Sequence, residues 1–94
     1  MPLGPIAAKI AFHQKRARML ARKAARHHFR AAHVGKLALA SNKKGWPKIA
    51  ARQLRRAFRL KAAGARFAVR ATLHHAAIAR LRHARQLRAR HLAG

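Results

Sequence analysis

Aspartate and glutamate are absent from this chain of 94 residues. Its 24 lysines and arginines give a formal charge of +24, and no acidic side chain is present to neutralise any of it. Globular chains also carry about a quarter charged residues, but with the signs mixed. Here the fraction is 26 % and entirely of one sign. Without carboxylates, acid–base catalysis would rest on histidine and lysine alone, and no acid could orient a catalytic histidine. Cysteine is absent too, which excludes disulfides and thiolate metal sites. There is no tyrosine, and the only side-chain hydroxyls are Ser41 and Thr72. The five glycines (Gly4, Gly35, Gly45, Gly64 and Gly94) stand singly, so no phosphate-cradling glycine loop exists. No apolar run approaches the roughly 18 residues that span a bilayer, and the beginning of the chain has no signal-peptide apolar region. An enzyme, a small-molecule substrate, a cofactor and membrane insertion are therefore not expected.

What remains is a polycation in search of a counter-ion. A compact fold of this charge repels itself, and the partner must be a dense source of negative charge such as a phosphate backbone. Hydrophobic residues make up 51 % of the chain, but 25 of them are alanines, which bury little area. A self-sufficient core is not expected from the rest, and such a composition marks chains that are disordered alone. Alanine, arginine, lysine and leucine are strong helix formers, however. The expectation is an all-α chain, extended rather than globular, that is ordered only in an assembly.

The chain divides into three parts. Residues 1–34 read as a basic amphipathic helix opened by Pro5, with Gly35 suited to a left-handed C-terminal cap. On a helical wheel Lys9, Lys15, Arg16, Arg18, Arg22, Lys23, Arg26 and Arg30 share one half, whereas Ile6, Ile10, Ala17, Leu20, Ala21, Ala24 and Ala31 share the other. Residues 35–46, with Ser41, Asn42 and Gly45, read as a loop. Residues 47–94 read as a second long helix opened by Pro47. There Lys48, Arg52, Arg55, Arg59, Arg66 and Arg70 form one stripe that keeps its phase across Gly64, so a bend is the most that glycine introduces. Ala50, Leu54, Ala57 and Phe58 face the other way. Beyond Ile78 the pattern dissolves, and Arg80, Arg82, Arg85, Arg88 and Arg90 point to all sides.

Arginine outnumbers lysine sixteen to eight, and its planar fork matches two phosphate oxygens at once. An ordinary solvated helix face mixes signs; here Arg18, Arg22, Arg26 and Arg30 repeat like charges at a spacing that destabilises an isolated helix. The expected phosphate ligands are Lys15, Arg18, Arg22, Arg26 and Arg30, the stripe from Lys48 to Arg70, and Arg80, Arg82, Arg85, Arg88 and Arg90. Lys43, Lys44 and Trp46 in the loop are added to these, Trp46 as a stacking or inserting side chain; packing of Trp46 against protein is the alternative. Phe58 reads as core or interface. Gln14, Asn42, Gln53 and Gln86 are scattered and form no base-reading set. The pairs His27–His28 and His74–His75 lack the partners of a metal site, and read instead as further phosphate ligands whose protonation a polyanion would favour. No zinc-finger spacing, no basic region with a leucine seam and no fixed-period repeat is evident.

In its alanine-, arginine- and histidine-rich helical body the whole chain resembles small basic helical ribosomal proteins. That resemblance implies a structural, non-catalytic constituent of a ribosome that cross-bridges ribosomal RNA and touches neighbouring ribosomal proteins. The amphipathic, arginine-rich, acid-free beginning is similar to an organelle presequence, which points to the mitochondrial matrix, with another organelle or the cytoplasm as alternatives, and to a retained import signal. A DNA-compacting chromatin or nucleoid protein is the main rival reading. A cationic amphipathic membrane-active protein is the second: the first helix suits it, but the last third lacks an apolar face to insert.

Overall fold

The computed structural model describes residues 4–93 and shows a hairpin of two helices, α1 (Pro5–Lys43) and α2 (Pro47–Ala93). It is a ribbon of 73 × 23 × 12 Å, one helix thick and two wide. Its radius of gyration is 21.0 Å, against about 12 Å for a compact domain of this length. The all-α, extended, two-helix architecture expected from composition is therefore observed.

The seam explains why the helices pair. Ile10, Ala17, Ala24, Ala31 and Ala38 recur every seventh residue on α1, interleaved with His13, Leu20, His27, Val34 and Ser41. On α2 the matching rows are Ala50, Ala57, Gly64, Ala71, Ile78 and Gln53, Leu60, Phe67, His74, Leu81. Every one of these residues is buried or half-buried. A seven-residue repeat with two seam positions keeps one stripe of each helix turned to its partner, as in coiled coils. Five of the nine buried apolar residues are alanines, and Leu20 is the largest side chain that is fully buried. Small residues let the backbones come close. At Gly64 an added Cβ would lie 3.2 Å from His27 Cβ and 3.3 Å from the Ala24 carbonyl oxygen.

Two boundaries differ from the sequence expectation. Gly35 does not end α1, and residues 35–46 are not a loop; the helix continues to Lys43. Interior glycine costs a helix only about 1 kcal/mol, whereas stopping there would forfeit the seam contacts of Ala38 and Ser41, both buried. The turn is confined to Lys44, Gly45 and Trp46. Gly45, at φ +81°, takes the left-handed cap expected of Gly35. Its N–H donates to the Asn42 carbonyl (3.1 Å) and that of Trp46 to the Ser41 carbonyl (2.9 Å), the paired bonds of a Schellman cap. The Trp46 carbonyl then accepts from Ala50 N–H (3.0 Å), so the same residue opens α2, with Pro47 following. Ser41 Oγ donates to Gln53 Oε1 (2.8 Å), tying the helices together beside the turn. As the phase of its cationic stripe indicates, α2 is a single helix through Gly64.

Phe58 is not core: it is 61 % exposed, and Leu54 beside it 48 %. Alanine occupies the seam, and the bulky apolar residues stand on its flank. α2 outruns α1 by about two turns, and nothing from Arg82 to Ala93 is buried.

Three glycines give three different expected outcomes. Gly35→Ala, with nothing within 4 Å of the new methyl, should stabilise the hairpin by up to about 1 kcal/mol. Gly45→Ala should cost about 1 kcal/mol through its left-handed backbone. Gly64→Leu should cost about 1–3 kcal/mol through overpacking. Thermal melts followed by circular dichroism in concentrated sulfate, which screens the cations, would rank them in that order.

Candidate nucleic-acid interface

The seam divides the ribbon into two unlike faces. On the first, a row at seven-residue spacing on α1 (Lys9, Arg16, Lys23, Arg30) runs beside the seam, with Arg26 just outside it. α2 contributes Arg56 and Arg70 beside the seam and, outside them, Arg52, Arg59, Arg66 and Arg80. Seven residues of helix span about 10.5 Å, so the rows run parallel along the ribbon. The opposite face holds Arg18, Lys61 and Arg82 as its only cations within the paired, described length; alanine dominates the remainder. Surface depressions follow this division over the middle of the ribbon, whereas Gln14, Arg18, His75, Ile78 and Arg82 line one on the second face that carries two arginines. Arg30, His33, Val34, Leu37 and Arg56 line one on the cationic face, whereas His28, Ala31, Ala32, Leu54, Ala57, Phe58 and a single cation, Lys61, line one behind it.

All nineteen expected ligands are exposed, but they are not one surface. The α2 set from Lys48 to Arg70 lies on the cationic face and the adjoining edge. The α1 series does not hold together. Steps of four residues drift around a helix, so Arg18 falls on the alanine face, Arg22 and Lys15 on the outer edge, and Arg26 and Arg30 on the cationic face. Lys43, Lys44, Trp46 and Lys48 cluster at the turn. Arg85, Arg88 and Arg90 belong to the overhanging end of α2. The sequence reading left Lys9, Arg16, Lys23 and Arg56 out of the ligand set. Their signal was seven-residue spacing, in register with the seam.

Several side chains are fixed in place. Lys23 Nζ lies 5.6 Å from the centre of the Phe67 ring, and Lys44 Nζ 5.1 Å from that of Trp46. Trp46 is 49 % exposed, so it remains half open to solvent at a turn that also carries Lys43, Lys44 and Lys48. His27 Nδ1 donates to the Lys23 carbonyl (2.8 Å) and its ring packs on Phe67 at 5.1 Å. The polar amides stand away from the cationic face. Gln14 and Asn42 are on the alanine face, Gln53 is held by Ser41, and Gln86 is on the overhang. That face therefore offers charge without the amide groups that read adenine. Among the described residues no helix is long and apolar enough to cross a membrane, and no three potential ligands gather to hold a metal ion. The chain matches no protein family, no curated protein and no solved structure.

A histidine pair bridges the helices. His13 Nδ1 and His74 Nδ1 are 2.7 Å apart, with the edge of Phe12 against both rings. One nitrogen must donate and the other accept, so the bond requires at least one neutral ring. Desolvation lowers the His74 pKa below its ordinary value, helped by His13, Arg16, Arg70 and His75 nearby. The unfolded chain then binds the proton more readily than the fold does. The stabilisation is complete above the ordinary histidine value of about 6.5 and is lost as pH falls below it toward the lowered one. The melting temperature in the absence of polyanion should accordingly fall between about pH 8 and pH 5, and His74→Phe should flatten that dependence.

Proposed function

We propose that this chain is a structural ribosomal protein that neutralises and cross-bridges ribosomal RNA, most naturally in a mitochondrial ribosome. The observation that carries this reading is the cationic face, with eleven lysines and arginines along one side of the ribbon and no side-chain carboxylate in the chain to pair with them. Phosphate contacts position a protein without reading sequence, and the absence of amides on that face suits such binding. The overhanging end of α2, cationic on every side, fits a helix surrounded by backbone phosphate rather than lying on one surface. Trp46 at the turn suits a splayed base, which RNA loops supply and continuous duplex does not. The small alanine seam resists a charge of +24 only weakly, so polyanion binding and hairpin formation reinforce one another. The presequence-like beginning supports the organelle.

Two measurements test this. In a sucrose gradient the tagged protein should migrate with a ribosomal subunit at moderate salt; migration with nucleoid DNA instead, or equal affinity for long duplex DNA and structured RNA, would favour DNA compaction. In titrations with a structured RNA, replacing Arg52, Arg59 and Arg66 with glutamine should lower the salt slope by about three, one for each lost phosphate contact. The same change at Arg18, Lys61 and Arg82 should lower it less. Trp46 is the only tryptophan, and its fluorescence should be quenched as a base stacks on it.

A further inference from the structure

The alanine face contains a groove that phosphate binding leaves unexplained. Two depressions that share Leu54 run end to end along it, from Pro47 to Lys61 on α2. At 1.5 Å per residue the groove is about 20 Å long. Its floor is small (Gly35, Ala50 and Ala57), and its walls are Leu39, Leu54 and Phe58. Leu39 is 66 % exposed, and the other two wall residues are also largely open to solvent. Hydrogen bonding inside the hairpin requires none of these side chains.

We propose that this groove docks an amphipathic helix of a partner protein, with a leucine-type apolar stripe flanked by carboxylates. A third helix laid over the seam would bury the three walls, and a floor of alanine and glycine lets its axis come close. The rim sets the charge of the partner: Lys61 borders the groove, and the chain has no acidic side chain to satisfy it. A second copy brings the same cations and the same recess, so it complements neither charge nor shape. A lipid bilayer is flat and leaves the recess unfilled. Nucleic acid gains little where three large apolar side chains stand among few cations. The docking is independent of which polyanion occupies the other face.

The test uses the full chain at moderate salt, with and without a saturating RNA duplex, so that a loosely folded free chain does not hide the groove. The probe is a synthetic helical peptide of about 14 residues, matched to the groove length, with a leucine stripe and glutamates elsewhere. Its control keeps the glutamates and replaces leucine with serine. The leucine peptide should bind at least about tenfold more tightly than the serine control. A triple variant (Leu39→Ser, Leu54→Ser, Phe58→Ser) should lose that margin. So should Gly35→Leu, which fills the floor at a position with nothing within 4 Å. RNA affinity should change by less than about twofold in both variants, since no phosphate contact is removed, and circular dichroism should show their helices intact. Equal binding of the two peptides, undiminished binding by the variants, or no peptide binding in either condition overturns the proposal. So does self-association, or attachment to anionic vesicles, that the triple variant abolishes.

Discussion

The approach of two helices along a stripe of alanine and glycine is the contact on which everything else rests. Larger seam residues would bury more area per turn, but they would push the backbones apart. Here the small rows bring the backbones close enough that Gly64 has no room for an unhindered methyl. This arrangement sets the register and fixes which residues flank the seam on either side. It also leaves the bulky apolar residues outside, so the hairpin has a thin core and an unusually well-furnished surface.

Charge works against that contact. Every cation on the ribbon repels its neighbours, and no side-chain carboxylate relieves the strain. The seam therefore operates with a small hydrophobic driving force and a large electrostatic load. Two local devices moderate the conflict at the helix interface. Arg16 and Lys23 lie half-buried beside the seam, and the Lys23 ammonium lies over the Phe67 ring of the partner helix. The histidine pair adds an interhelical hydrogen bond that is compatible with the surrounding positive charge only while one ring stays neutral.

Much of this fold was legible in the sequence, because composition and punctuation were unusually plain. Pro5 and Pro47 do open the helices, and the phase of the arginines carried α2 correctly through Gly64. The misplaced turn had a physical origin. Gly35 and Gly45 are equivalent to a local reading, and only the seam contacts of Ala38 and Ser41 decide between them. Alanine also hid the heptad. A periodic search weights large apolar residues, and in this chain the repeating positions are mostly small. Once that register is missed, Arg18 and Arg30 look like members of one stripe, although the partner helix sets them on opposite faces. Of the two places expected for Phe58, the core is excluded for the same reason: apolar character is a poor guide to burial where the buried positions belong to alanine.

The ribbon's thickness carries a consequence of its own. A sheet-like body 12 Å through, with dissimilar chemistry front and back, has no interior to separate what it touches on its two sides. Anything seated on one side lies a single helix diameter from anything seated on the other. Were both faces occupied, the two bodies would be held at a fixed gap, and the length of the ribbon would set how far along their boundary that gap stays constant.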